Sequence, residues 1–364
     1  MPTGKKRVGK NEKQRLDIRT VARKAGVSIA TVSRTINHVP TVDPTLTKRV
    51  WAVVQELGYF PNTQARALVS GKSRLLGVII SDIKNPFFPE LVESFEEIAV
   101  PAGYEILIGS TGYDTRRMEL CIQRMLERKV EAVAVMTFGI EEPLLDRMSR
   151  QGIPLAFIDV APKGEGMVAI SVDYASGIDQ AVQHLASLGH TKIAFISGPP
   201  KLHSAVMRRE AFQNSLTRIG VKIPKTFIIE GDHTLEGGMR AMQSILKLKQ
   251  IPTAILCSND MTAIGVMHAA AAANFRIPED ISIVGFDDIH IARYMLPPLT
   301  SIQMSCRELA KAAFDALRLQ FEEKNTESKK KYVVSTKLNV RQTTGHPRDS
   351  QIDMRSRSSS KVRG

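Results

Sequence analysis

Residues 17–37 read DIRTVARKAGVSIATVSRTIN, and this stretch decides the interpretation of the N-terminal part of the chain. Asp17 is a suitable N-cap, the apolar residues after it recur at helical spacing, and Gly26 ends that helix. Ser28 caps a second helix after a tight turn. The pattern predicts a helix-turn-helix, whose second helix enters the major groove of DNA. The alternative is a helical hairpin that does not bind nucleic acid.

A third helix follows, because Pro44 is a favourable first helical residue and Gly58 a favourable helix end. We therefore expect a three-helix domain over residues 16–61. Residues 1–15 are polar and basic, and we expect a disordered arm there.

The formal net charge of +13 is concentrated at the two ends of the chain. Residues 1–75 hold 15 Lys and Arg against 4 Asp and Glu, whereas residues 76–325 hold 25 against 30. A basic N-terminal region on a mildly acidic body indicates that this region meets a polyanion such as DNA. Residues 345–364 are polar, basic and low in complexity, so we expect a disordered tail.

From Leu75 onward, short apolar runs alternate with amphipathic helical segments. The runs that we predict as strands are 75–80, 104–110, 132–136, 154–159, 192–198, 253–260 and 281–288. Such alternation predicts an α/β fold with parallel sheets covered on both faces. The number of strands favours two doubly wound lobes, and ligands of such sheets bind outside the carboxyl ends of the strands.

Other features restrict the class of protein. No apolar run reaches the roughly 18 residues that a membrane span needs, and no apolar segment follows the basic N-terminus as in a signal peptide. The three cysteines are far apart and odd in number, so they suggest neither a metal site nor a disulfide framework. We expect a cytoplasmic, nucleoid-associated protein that does not bind a membrane.

Several longer motifs resemble the lactose-repressor (LacI/GalR) family of transcriptional regulators. The resemblance runs from about Leu16 to Thr344. The motifs are AGVSIATVSRTIN (25–37), LGYFPN (57–62), ARAL (65–68), NPFF (85–88), HLASLGH (184–190), SNDMTAIG (258–265), DISIVGFDD (280–288) and PPLTSI (297–302). It implies an N-terminal helix-turn-helix joined to two lobes of the type seen in periplasmic binding proteins.

The resemblance implies two DNA-binding elements, the second helix and a hinge helix within a linker over residues 62–73. Short hydroxyl side chains suit phosphates, Arg34 suits guanine, and the small apolar Ile29 and Ala30 can contact only thymine methyl groups. Leu68 would be the apolar wedge that enters the minor groove. The expected DNA-binding residues are Ser28, Ile29, Ala30, Thr31, Ser33, Arg34, Asn37, Asn62, Ala65, Arg66 and Leu68.

The resemblance also implies a small-molecule effector between the lobes. The expected effector-binding residues are Phe87, Phe88, Asp159, Arg208, His233, Asn259 and Asp287. Carboxylates, an amide and a guanidinium in one cleft suit a hydroxyl-rich ligand. His233 stands where relatives often have a stacking aromatic residue and Leu202 where purine-responsive relatives have arginine, which favours a sugar or sugar derivative. A sugar acid could use Arg208 and His233.

The predicted lobes cover residues 74–344, lobe 1 at about 74–171 and 303–331, and lobe 2 at about 172–302 and 332–344. We expect a homodimeric transcriptional repressor that binds a pseudo-palindromic operator, with no catalytic residue, cofactor or metal. Alternatives are a sugar-binding protein or a sugar-metabolising enzyme. The sequence has no nucleotide-binding glycine motif or serine-nucleophile motif that would support an enzyme.

Overall fold

A computed structural model describes residues 17–37, 39–60, 72–137, 148, 150–159, 167–322 and 332–348. The chain divides into two compact units, Met1–Ser73 and Arg74–Gly364. None of the helices within these ranges is long and apolar enough to cross a membrane.

The first unit contains the three predicted helices, α1 (Ile18–Ala25), α2 (Ile29–Ile36) and α3 (Pro44–Leu57). The predicted caps are confirmed, since the side chains of Asp17 and Ser28 accept backbone N–H groups of their own helices. Gly26 and Gly58 end α1 and α3 in the left-handed conformation, which glycine adopts without a steric penalty. A small apolar core holds the helices together, formed mainly by Val21, Ala22, Ala25, Val32, Ile36, Val50, Val53 and Val54.

The second unit alternates strands and helices. The strands are β1 (Leu75–Ile80), β2 (Glu105–Ser110), β3 (Ala132–Met136), β4 (Leu155–Ile158), β5 (Met167–Asp173), β6 (Ile193–Ser197), β7 (Ile228–Glu230), β8 (Ala254–Cys257), β9 (Ser282–Asp287), β10 (Thr300–Met304) and β11 (Tyr332–Asn339). The helices are α4 (Phe87–Ala99), α5 (Thr115–Glu127), α6 (Tyr174–Ser187), α7 (His203–Arg218), α8 (Leu235–Ile245), α9 (Asp260–Ala272) and α10 (Cys306–Glu322), with short 3₁₀ turns at Lys225–Phe227 and His290–Tyr294. All seven predicted strands are present.

The strands follow the order β2-β1-β3-β4-β5-β11-β10-β9-β8-β6-β7. Neighbouring strands are parallel except β10 and β11, which are antiparallel. Two doubly wound halves therefore meet at β11, and the predicted α/β fold class is confirmed. The carboxyl ends of β4 and β9 hold Asp159 and Asp287, so the topology places both carboxylates where such folds bind ligands.

The expected lobe boundary near residue 331 requires correction, because β11 belongs to both halves. Tyr332–Ser335 pair with β5 in the first half, and Thr336–Asn339 pair with β10 in the second. The crossover thus lies within one strand rather than in the loop before it. The other expected lobe boundary, at about residue 171, falls inside β5. This strand continues to Asp173, and α6 begins at the next residue.

The expected disorder of the tail is wrong for its first four residues. The Gly345 carbonyl lies 2.8 Å from His190 Nε2, and the Gly345 N–H donates to Ser282 Oγ at 3.0 Å. Arg348 forms an ion pair with Asp280 at 3.3 Å. These contacts order the chain through Arg348, and the remainder of the predicted tail lies outside the described residues.

Candidate functional site

The second helix of the first unit presents most of the predicted DNA-contact residues to solvent. Val32, Thr35 and Ile36 are buried, whereas the side chains of the predicted residues are exposed or half-buried. Ile29 has 46% of its surface exposed. The members of this surface are Ser28, Ile29, Ala30, Thr31, Ser33, Arg34 and Asn37.

Local hydrogen bonds fix the geometry of this surface. Ser28 Oγ accepts the Thr31 N–H at 3.0 Å, and the two hydroxyl oxygens lie 2.9 Å apart. Ser28 therefore acts as a helix cap in this structure. Asn62, Ala65, Arg66 and Leu68, the predicted hinge residues, lie outside the described residues.

Arg208 of α7 is the centre of the second site. Its guanidinium is buried, with Nη1 donating to the Ser258 carbonyl at 2.5 Å and Cζ 3.9 Å from the centre of the Phe286 ring. The ring of Tyr174 lies on the same guanidinium at 4.9 Å. Arg208 Nε is buried and has no hydrogen-bond partner. This nitrogen can donate to a ligand without breaking an existing bond.

Asp287, at the end of β9, faces the same guanidinium. Its Oδ1 lies 3.6 Å from Arg208 Nη2, and the side chain is 5% exposed. Burial raises the pKa of Asp287 to about 7, with a further increase from Glu90, while Arg208 acts in the opposite sense. The carboxyl group is thus close to its midpoint at neutral pH and can interact with a ligand hydroxyl.

Asp159 approaches this centre from the end of β4. It accepts hydrogen bonds from the Tyr174 hydroxyl and from the Val172 N–H, the latter at 3.0 Å. Burial raises the pKa of Asp159, and both hydrogen bonds partly offset that increase. Because Tyr174 also contacts Arg208, the structure brings together three predicted site residues, Asp159, Arg208 and Asp287, through one unpredicted tyrosine.

His233 joins the site through Ser258, since its Nε2 lies 2.9 Å from the serine Oγ. Burial lowers the pKa of His233 to about 3, and the nearby Arg208 lowers it further. His233 is therefore neutral at physiological pH and cannot balance a ligand's negative charge.

Other predicted site residues have structural partners. The Asn259 amide oxygen caps α9 by accepting the Thr262 N–H, and its nitrogen donates to the His233 carbonyl at 3.0 Å. Phe87 and Phe88 are buried in the hydrophobic core, with ring centres 5.4 Å apart. These contacts indicate that Asn259 shapes the loop and that the phenylalanines pack the lobe.

Three further residues extend the site beyond the prediction. Ser204 lies one helical turn before Arg208, and its hydroxyl is buried without a partner. Tyr113 follows β2 and has 44% of its surface exposed; partial desolvation of its hydroxyl, with a contribution from Asp287, raises its pKa. Glu90 of α4 accepts the His290 N–H at 2.9 Å and links the two lobes. Of these three residues, only Ser204 could have been found from the sequence, through its i, i+4 spacing from Arg208.

Together these groups form a hydrogen-bonding centre on aromatic faces. Arg208 Nε and Ser204 Oγ can donate, and Asp287 can accept. This combination suits a compact ligand with several hydroxyl groups.

Comparison with known protein families gives two matches. Residues 17–62 match the model of bacterial regulatory proteins of the lacI family, and residues 182–344 match the periplasmic binding protein-like domain. The chain is 34% identical over 301 residues to the ribose operon repressor of Escherichia coli K12, covering 82% of this chain and 91% of that protein.

Solved structures agree with these matches. A lac repressor dimer bound to operator and the anti-inducer ONPF superposes with a TM-score of 0.78 at 27% identity, covering 91% of this chain and 99% of the other. A LacI-family regulator from Enterococcus faecium with bound ribose superposes with a TM-score of 0.65 at 26% identity, covering 74% and 98%. The similarity therefore includes both units of the chain.

Proposed function

Because this chain belongs to the lacI family of bacterial regulatory proteins and is a DNA-binding transcriptional repressor controlled by a small molecule, we propose that its effector is a sugar or sugar derivative bound between the lobes at Arg208 and Asp287. The observation that carries this proposal is the buried guanidinium of Arg208, whose Nε has no hydrogen-bond partner and whose Nη2 lies 3.6 Å from the buried Asp287 carboxylate. Buried polar groups are normally paired, so this donor is suited to a ligand.

The ribose bound to the Enterococcus faecium regulator supports a sugar as the class of ligand. In our proposal Arg208 and Ser204 donate to sugar oxygens and Asp287 accepts from a hydroxyl group. Asp159 orients Tyr174 against the guanidinium and so affects the ligand only indirectly, through Tyr174 and Arg208. His233 holds Ser258, whose carbonyl fixes Arg208.

DNA contact is proposed for the exposed surface of α2 and for the hinge segment at residues 62–68. Arg34 would contact a base edge, Ser28 and Thr31 would contact phosphates, and Ile29 would contact a thymine methyl group. The operator-bound lac repressor dimer supports a homodimer that binds a two-fold symmetric operator. Such a repressor would act in the cytoplasm, at the nucleoid.

A thermal-shift screen of the full-length protein tests the effector site. A set of pentoses, hexoses and purine bases is added to the wild type and to Arg208→Ala. Stabilisation of the wild type by a sugar, absent in the variant, supports the proposal. Stabilisation by guanine or hypoxanthine, or equal stabilisation of both proteins by the sugar, would overturn it.

A further inference from the structure

A groove on the surface of the second lobe lies between α7 and the segment that follows it. Its volume is about 640 Å³, within the range of about 300–1,000 Å³ that small-molecule sites usually have. Gln213, Leu216 and Thr217 of α7 form one wall. Arg208 does not line the groove, and these three residues lie further along the helix, so the groove is separate from the effector site.

The end of α7 explains why the groove forms. Gly220 follows the helix in the left-handed conformation, and the Val221 N–H donates to the Leu216 carbonyl at 3.0 Å. The chain thus reverses direction beside the last turns of α7. The buried Phe227 then anchors the returning segment to the core, and β7 pairs with β6. Residues 221–225 form much of the second wall.

The floor of the groove is apolar. Leu216 is buried, whereas Val221, Ile223 and Ile228 are half-buried and pack against the hydrophobic core of the lobe. All four side chains line the groove. A ligand with an apolar body would therefore remove part of their remaining surface from water, which favours binding.

Two lysines give the groove a positive charge. Lys222 and Lys225 line it, and both are exposed. Within the part of the chain that the structure describes, neither lysine forms an ion pair, and no Asp or Glu lines the groove. Their ammonium groups are thus available for the negative charge of a ligand.

The groove has few groups for the hydroxyls of a sugar. Its uncharged polar side chains are those of Gln213 and Thr217, and the Thr217 hydroxyl already donates to the Gln213 carbonyl at 2.9 Å. A hydroxyl-rich ligand needs several donors and acceptors at fixed positions. An apolar floor beside two lysines instead matches a ligand with an apolar body and an anionic group.

We propose that this groove is a second ligand site, which binds a carboxylate with an apolar body, such as a medium-chain fatty acid. The apolar body lies against Leu216, Val221 and Ile223, and the carboxylate accepts hydrogen bonds from Lys222 and Lys225. This inference goes beyond the proposed function, because it depends neither on the sugar nor on DNA.

Methyl NMR titrations of the full-length protein with octanoate test the site. The methyl signals of Ile223 and Ile228, assigned with Ile223→Val and Ile228→Val, should shift and saturate. 1-Octanol should shift the same signals with at least about fivefold weaker affinity, because it has the apolar body without the charge. No saturable shift of these signals with octanoate, or equal affinity for octanol, overturns the inference.

The double variant Lys222→Gln, Lys225→Gln tests the cause of the preference for the acid. Both lysines are exposed, so their replacement loses no buried packing. Octanoate affinity should fall about fivefold, to that of octanol, and octanol affinity should stay the same. Lys247→Gln, Lys249→Gln removes two exposed lysines after α8 and should keep the wild-type ratio. A wild-type ratio in the groove variant would mean that these lysines do not hold the carboxylate, and the inference would be wrong.

A hexaglutamate peptide separates a small carboxylate from an acidic segment of a partner protein. Saturable shifts of Ile223 and Ile228 with octanoate, and none with the peptide, support the inference. Saturable shifts with the peptide and none with octanoate would identify the groove as a surface for an acidic protein segment and overturn it.

Discussion

The guanidinium of Arg208 and the carboxylate of Asp287 are buried together, with Nη2 3.6 Å from Oδ1. This distance exceeds that of a hydrogen bond, so the two groups attract each other but keep hydrogen-bonding capacity for a third partner. Since Phe286 and Tyr174 hold the guanidinium on its faces, the arginine is positioned before a ligand arrives. A preorganised pair reduces the entropy that binding has to overcome.

Arg208→Ala should abolish the response to the effector. The variant loses a charged donor and leaves Asp287 buried without its cation, and each such hydrogen bond contributes about 1.5–3 kcal/mol. We expect effector affinity to fall at least about thirtyfold, measured by calorimetry. Arg209→Ala removes the neighbouring charge and should bind effector as the wild type does. A similar loss in both variants would mean that the site is misplaced.

Arg34→Ala should reduce operator specificity without affecting effector binding. The side chain is exposed, so its removal costs little stability, whereas loss of a bidentate base contact costs about 1–3 kcal/mol. Fluorescence anisotropy with operator and with scrambled DNA measures the ratio of the two affinities. Lys249→Ala, an exposed charge removal in the second unit, serves as control. If the ratio is unchanged in Arg34→Ala, this residue does not contact a base.

Local signals predicted the first unit well because its helix ends depend on neighbouring residues, such as Asp17 and Gly26. The strands β5, β7, β10 and β11 were not predicted. Buried and exposed residues alternate along β11. Its pairing with β5 joins residues more than 150 positions apart, and its pairing with β10 joins it to a strand of the other lobe. A pattern of local apolarity does not contain this information.

The same limit explains the site. Arg208 and Asp287 stand in recognisable motifs at the ends of elements. The sequence gives no sign that Tyr174 would contact Arg208, or that Asn259 would be occupied by Thr262 and His233, because these contacts arise from packing between distant segments.

Gly198→Ala should disturb the site through His233. A Cβ atom at Gly198 would lie 1.9 Å from His233 Nε2, so the imidazole has to move and its contact with Ser258 is lost. We expect effector affinity to fall by about tenfold, and calorimetry on the single and double variants measures the coupling. In a His233→Ala background the same change should have little effect. Additive losses would mean that the two residues act separately.

The stability of the protein should depend on His233 at acidic pH. Its pKa is lowered from 6.5 to about 3, so the unfolded state binds more protons between these values. The contribution of His233 is therefore present above pH 6.5 and is lost as the pH falls. At pH 5 the loss is about 2 kcal/mol relative to pH 7.5. Urea unfolding of the wild type and His233→Gln at both pH values measures it, and identical pH dependence of the two proteins would contradict it.

Asp287 should act in the opposite direction. Its pKa is raised from 3.8 to about 7, so the folded state binds more protons in that window and stability falls as the pH rises through it. Asp287→Asn removes this titration. Urea unfolding should show the variant gaining stability relative to the wild type between pH 5 and pH 8, and a constant difference across that range would be inconsistent with a buried, titrating carboxyl group.

The central claim is that a ligand at Arg208 and Asp287 controls the affinity for DNA. Fluorescence anisotropy with the DNA upstream of the protein's own gene tests it, with and without the sugar identified by the screen. The sugar should change the dissociation constant of the wild type by at least about fivefold. Arg208→Ala should bind the same DNA with no response to the sugar. An unchanged dissociation constant in the wild type, or an equal response in the variant, would show that a ligand at this pair does not control DNA binding.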